Sequence, residues 1–226
     1  MTLPDAVAIL RSHYGAPGEG EPPAAFVLVL EENIAYLAND ERRRQALTQL
    51  ETSIGLTPEA ILSASAQALE AVTAHGMLAG RFAEKLRECA RLAQEHPLDG
   101  LAQLPEREAI RRLRRFPGIG EPAAEKILLL ACGRPSLAPD SNALRVLTRL
   151  GLVAEQKQYA KTYSAAGALA AGYSAAECLE AHRLLRQHGQ TLCRRNRPAC
   201  GACPLATSCP EAAGLPLDGR PSRRVR

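Results

Sequence analysis

Four cysteines, Cys193, Cys200, Cys203 and Cys209, fall within seventeen residues at the spacing C-x6-C-x2-C-x5-C. So many thiols in one short loop act together, and whatever they bind fixes the loop's path. Only one C-x-x-C pair is present, whereas a zinc ribbon draws two such pairs from separated knuckles. A single compact loop supplying all four ligands suits a larger inorganic core, a [4Fe–4S] cluster held by four thiolates. Zinc is the alternative, and disulfides fit least. Seven cysteines in all, an odd number, point to a reducing compartment.

Charge is divided along the chain. Residues 1–110 carry 9 Lys and Arg against 16 Asp and Glu, and residues 111–226 carry 19 against 8, so a net +4 conceals an acidic first half and a basic second half. The basic excess is almost all arginine: Arg111, Arg112, Arg114 and Arg115; Arg194, Arg195 and Arg197; then Arg220, Arg223, Arg224 and Arg226. Arginine's planar fork matches phosphate oxygens, and clustering in one half resembles a polyanion footprint. A solvated face is the alternative for any one run, but two of these runs adjoin a motif. The longest apolar runs, 26–30 and 127–132, are too short to span a bilayer. The opening residues show no basic segment followed by an apolar one, so no signal peptide is expected. A soluble, cytoplasmic protein with no membrane partner follows as the expectation.

Apolar residues recur at helical spacing over 26–37, 46–50, 58–72, 82–92, 107–116, 123–131, 143–150 and 176–188, and no stretch alternates with period two. Pro and Gly mark the joints, among them Gly15 to Gly18, Pro22-Pro23, Gly55, Gly76, Pro117-Gly118 and Ala138-Pro139. The predicted fold is all-α. The tail over residues 212–226, rich in Gly, Pro and Arg, reads as disordered. Cys89, Cys132 and Cys178 read as small buried hydrophobes, and Phe26 as a core residue. The five histidines form no metal-ligand spacing.

Two local patterns carry further information. Arg114-Arg115-Phe116-Pro117-Gly118-Ile119-Gly120 joins two amphipathic stretches by a very short turn. Gly118 and Gly120 can take positive φ and admit a close backbone approach. The free amides after Gly120 open a helix, favourable for an anion, and Pro122 is tolerated in its first turn. Beside Arg111 to Arg115, such a turn grips a DNA phosphate without reading sequence; an ordinary αα-hairpin turn is the plain alternative. In Ala138-Pro139-Asp140-Ser141-Asn142, Asp140 sits where a helix begins. It is either a cap alone or a carboxylate held at a fixed point.

In order and separation, the Pro-Gly-Ile-Gly turn, Asp140 before Arg145-Val146-Leu147, His188-Gly189 and the four cysteines together resemble the helix–hairpin–helix DNA glycosylases of the endonuclease III and adenine glycosylase branch, over residues 24–211. That resemblance implies two helical domains with a DNA cleft between them. One is a six-helix barrel over 24–134, with the helix–hairpin–helix at 107–131. The other joins 1–23 to 135–211 around a [4Fe–4S] cluster held by Cys193, Cys200, Cys203 and Cys209. It implies a nucleoid-associated monomer of base excision repair that flips a damaged or mismatched base out of double-stranded DNA and cleaves its N-glycosidic bond. Asp140 is then the catalytic carboxylate. Gly118, Ile119 and Gly120 hold a backbone phosphate with Arg114 and Arg115 beside them, and the cluster braces a loop presenting Arg194, Arg195 and Arg197 to DNA.

Departures from the pattern narrow the expectation. Endonuclease III-type enzymes carry a lysine two residues after the second hairpin glycine, whose amine forms a Schiff base with the sugar and leads to strand cleavage. Pro122 stands there, so monofunctional hydrolysis is expected. Lys126, one turn further on, is the alternative nucleophile, its plain reading being a surface lysine paired with a glutamate. A catalytically silent DNA-structure binder of the same fold is the alternative from another class. The adenine glycosylase glutamate is replaced by Val27. Asn33 is the nearest candidate to fill the gap left by a flipped base. Glu31 and Glu32 either line the base pocket, favouring a cationic base, or face solvent as a pair; Tyr36 stands on the same segment.

Overall fold

The computed structural model describes residues 1–18 and 20–214 and contains no strand among them. The all-α expectation holds. The expected disorder of the tail lies, from residue 215 on, outside the described residues. The chain forms two compact units, one of residues Pro22–Cys132 and one of Met1–Glu21 with the chain from Gly133 onward.

The central unit contains seven α-helices: α2 (Ala25–Ile34), α3 (Asp40–Ser53), α4 (Pro58–Ser63), α5 (Ala66–Thr73), α6 (Ala79–Glu95), α7 (Glu106–Leu113) and α8 (Glu121–Cys132). Helix α2 packs against α3, α6 and α8. Its Leu28, Val29, Leu30 and Ile34 are all buried, so the helix is apolar around most of its circumference. The apolar run 58–72 is two helices and not one. Ser65 takes extended backbone and its hydroxyl accepts from the Ala68 amide, starting α5 afresh.

Packing makes the hairpin between α7 and α8. Leu113, Phe116, Ile119 and Ile127 lie in the core of this unit, each contributing about 1.5–3 kcal/mol by full burial. They pin both helices and the turn itself. Gly118 takes φ +73°, and a Cβ there would lie 2.8 Å from Asn33 Oδ1. Gly120 is not in the left-handed region, so only one of the two glycines is required by its φ. Asn33 Nδ2 donates to the carbonyls of Val29 (3.1 Å) and Pro117 (2.8 Å), tying α2 to the turn.

The other unit contains α1 (Leu3–Tyr14), α9 (Ser141–Arg149), α10 (Tyr159–Ala168) and α11 (Ala175–Thr191), followed by two single 3-10 turns, Cys200–Ala202 and Ala206–Ser208. Helices α1 and α9 both pack on α11. Capping boxes begin α1 (Thr2 with Asp5) and α11 (Ser174 with Glu177). Gly189 allows the tightest contact. A Cβ there would stand 2.7 Å from the Asn142 carbonyl oxygen, so only glycine lets α11 reach the first turn of α9.

Replacing Asn33 by alanine leaves the half-buried Pro117 carbonyl without this donor, and an unfolding free energy lower by about 1–3 kcal/mol is expected in urea titrations. A loss within 0.5 kcal/mol would show that the turn stands without this amide.

Candidate active site and cysteine loop

Asp140 is the N-cap of α9. One carboxylate oxygen, Oδ1, accepts from the amides of Asn142 (2.9 Å) and Ala143 (2.8 Å). The other, Oδ2, lies 3.3 Å from Asn142 Nδ2 and forms an ion pair with Arg186 of α11. The carboxylate is therefore a cap and also more than a cap. Burial alone would raise its pKa, but the Arg186 guanidinium, the Ala143 amide, Asn142 and His182 outweigh burial and hold it below the usual carboxylate value. Tyr159, at the start of α10, is close enough that burial and the Asp140 charge raise its phenol pKa.

From Asp140 the structure leads to the cysteine loop through two arginines of α9. Arg145 donates to Asn142 Oδ1 (2.9 Å) and to the carbonyls of Gly189 (2.7 Å) and Cys193 (2.9 Å). Arg149 donates to the carbonyls of Arg194 (2.8 Å) and Arg195 (3.1 Å) and lies 3.5 Å from Cys193 Sγ. Arg194 and Arg195 are thus fixed by their backbone, and their side chains and that of Arg197 are exposed. Arg197 takes left-handed backbone at φ +52°.

All four cysteines, Cys193, Cys200, Cys203 and Cys209, line one small cavity of about 20 Å³, shared with Val146, Leu150 and Leu205. Among the described residues no three His, Cys, Asp or Glu side chains converge closely enough to hold a single ion. Burial raises the Cys203 and Cys209 thiols above their usual value, so a bound group must bring positive charge to displace their protons. His188 stands 3.5 Å from Cys203 Sγ, with its Nδ1 3.0 Å from the Tyr14 hydroxyl. Burial pushes His188 down to about 4, so its ring is neutral at neutral pH. Of the remaining cysteines, Cys89 and Cys178 are buried, as expected, and Cys132 is half-buried. Burial pushes the Cys89 thiol up to about 12, which makes it inert.

In the central unit, Arg114 and Arg115 are exposed beside the hairpin turn. With Arg107, Ile110, Arg111 and Glu121 they line an open groove. Two side chains of these segments turn inward. Ile119 is only 5% exposed and its side chain belongs to the core, so the turn offers its backbone and not this side chain. Asn33 is 1% exposed and bonded inward, so it does not offer itself as a gap-filler. Lys126 forms an ion pair with Glu32, both side chains being mostly buried. That agrees with the lysine–glutamate reading and corrects the solvent-facing one for Glu32.

An exposed apolar prominence in the same unit escaped the sequence reading. Tyr36, Leu37, Met77 and Leu78 are all exposed, Leu37 at 71%. The Met77 amide donates to the Tyr36 carbonyl at 2.9 Å, joining the two loops. Leu37 and Leu78 both take left-handed backbone, at φ +55° and +59°. A Cβ at Gly76 would lie 2.4 Å from the Tyr36 nitrogen, so that glycine is needed for the loops to meet. Tyr36 stacks on Phe82 with ring centroids 4.9 Å apart, and Lys85 Nζ lies over Phe82. Phe26 packs against the core, as expected. The legible signal was Gly76 followed by two large apolar residues at a helix joint.

No protein-family model matches the chain. It is 25% identical over 193 residues to an endonuclease III of Sulfolobus acidocaldarius, covering 84% of this chain and 83% of that protein. A trapped endonuclease III–DNA covalent intermediate superposes with a TM-score of 0.75 at 18% identity, covering 94% of this chain and 98% of that one. A thermostable thymine-DNA glycosylase gives 0.72 at 17% identity, covering 93% and 96%. The all-α architecture is the fold of these endonuclease III and thymine-DNA glycosylase structures. Within that fold, the chain is similar in sequence over most of its length to endonuclease III proteins. No helix among the described residues is long and apolar enough to cross a membrane.

Gly189→Ala forces α11 off the Asn142 backbone, and a stability loss of about 1–3 kcal/mol is expected from overpacking. Thermal unfolding measures it. An unchanged midpoint would show that the α9–α11 contact tolerates a methyl group.

Proposed function

We propose that the protein is a monofunctional DNA N-glycosylase of base excision repair, which flips a damaged or mismatched base from duplex DNA and releases it by hydrolysis. Asp140 is the catalytic carboxylate. Its charge faces the positive charge that develops on the deoxyribose as the glycosidic bond breaks, as carboxylates do in glycoside hydrolysis. A pKa held below the usual value makes it a weak proton acceptor, which favours electrostatic stabilisation over activation of water.

The observation that carries the monofunctional reading is Pro122 in the first turn of α8, with the next amine, Lys126, engaged by Glu32. Proline has no nucleophile, and a lysine committed to an ion pair is a poor one. The hairpin backbone at Gly118 and Gly120 and the exposed Arg114 and Arg115 hold DNA phosphates. Leu37, Met77 and Leu78 supply the apolar wedge that occupies the stack when a base leaves it, the role first sought at Asn33. Cys193, Cys200, Cys203 and Cys209 hold a [4Fe–4S] cluster that braces the loop carrying Arg194, Arg195 and Arg197. When bound, the cluster supplies a rigid charged core and no step of base release. The thymine-DNA glycosylase likeness supports a repair role at the level of fold.

Base release should be assayed on duplexes bearing uracil, thymine mismatches, oxidised pyrimidines and alkylated purines, with and without hot alkali. Asp140→Asn keeps the capping oxygen and is expected to lower release about 10²–10⁴-fold while DNA binding survives. Borohydride should trap no covalent complex, and efficient trapping would overturn the monofunctional reading. Absence of release from every substrate, with retained binding, would replace it by a DNA-structure binder. Iron and acid-labile sulfide near about four each per chain, lost in Cys203→Ala, are expected for the cluster.

A further inference from the structure

Helix α11 meets the segment leading to Asp140 at two points. His182 and Arg186 are four residues apart and share a face of the helix. His182, 3% exposed, has Nδ1 3.0 Å from the Ala138 carbonyl oxygen and 3.3 Å from that of Leu137. Carbonyls only accept, so Nδ1 carries the proton. One turn later Arg186 forms its ion pair with Asp140 Oδ2. Between these points Ala138 is buried with φ +41°, a conformation that side-chain-bearing residues avoid unless their surroundings impose it.

Capping does not account for this arrangement. The two amide bonds of the cap fall on Oδ1, and serine or asparagine caps a helix as well as aspartate. Arg186 addresses the other oxygen, and its side chain is only 25% exposed. The charged and titratable groups around the carboxylate are Arg186 and His182 on α11, Arg145 on α9 and Tyr159 on α10. Arg145 is occupied by Asn142, Gly189 and Cys193, which leaves Arg186 as the cation joined directly to Asp140.

We propose that Arg186 is a positioning residue for base release: it fixes the orientation of Asp140 and keeps its carboxylate ionised, so the reaction draws on a standing negative charge and not on proton uptake by Asp140. The inference rests on the reading of Asp140 as the catalytic carboxylate. Because the folded-state pKa of Asp140 is lowered, activity persists as pH falls through the ordinary carboxylate range, near about 3.9. The acid limb that Asp140 contributes is then expected below that range.

The test follows the Asp140 carboxyl carbon by ¹³C NMR in aspartate-labelled protein, with the resonance assigned by Asp140→Asn. Wild-type Asp140 should titrate below the usual range. Arg186→Leu should raise it by about one unit or more, a tenfold gain in proton affinity, and Arg186→Lys, which keeps the charge without the fork, should fall between. In base-release assays the acid limb of kcat should move upward by the same amount, with KM for DNA changed less than kcat. Arg186→Lys keeps the test available if the leucine variant does not fold. An Asp140 titration that neither variant moves overturns the proposal. Base release that survives Asp140→Asn, with the titration shift intact, instead overturns the catalytic reading on which it rests.

Discussion

A single guanidinium, that of Arg145, joins the two parts of the chain that carry chemistry in the terminal unit. It reaches the Asn142 side chain at the start of α9 and the carbonyls of Gly189 and Cys193 at the end of α11. Removing any one acceptor would leave a half-buried charge with fewer partners, and such losses cost more than the bonds are worth in isolation. The arrangement is possible only because Gly189 lets the two backbones approach. Arg149, one turn along α9, extends the same device to the carbonyls of Arg194 and Arg195. The cysteine loop and the Asp140 turn are consequently parts of one bonded assembly.

The central unit solves a similar problem with an amide. Asn33 holds the Pro117 carbonyl while Phe116 and Ile119 anchor the turn from below. The outward side of the hairpin is its backbone with Arg114, Arg115 and Glu121 beside it. That division, apolar below and basic above, lets a short turn meet a phosphate without yielding.

Much of this was legible from residue types, and the failures have physical causes. Periodicity located most helices, since burying one face demands it. It missed the break at Ser65 because Ile61, Leu69 and Val72 are spaced close to whole helical turns, so their phase survives the interruption. Helix α1 went unread although Thr2, Pro4 and Asp5 spell its capping box and Leu3, Ala6, Val7 and Leu10 its buried face. Helix α10 offers little contrast between its faces. Asp140 and the cysteines were visible because their chemistry is local in the chain. Arg186 was not, being forty-six residues from its partner; a pairing at that range is decided by packing. The inward turn of Asn33 was not legible, because sequence shows a polar residue near a joint but not which way it turns.

The apolar prominence has a consequence for engineering. Leu37 and Leu78 hold left-handed backbone, which for a non-glycine residue costs about 1–2 kcal/mol each. Glycine would relieve that strain, and polar residues would make the surface more soluble. A search for stabilising substitutions would therefore converge on these positions and discard the side chains proposed to enter the duplex. The loops are a place where robustness and activity select opposite residues, and a thermostabilised variant of this chain is safest when residues 36–37 and 77–78 are left as they are.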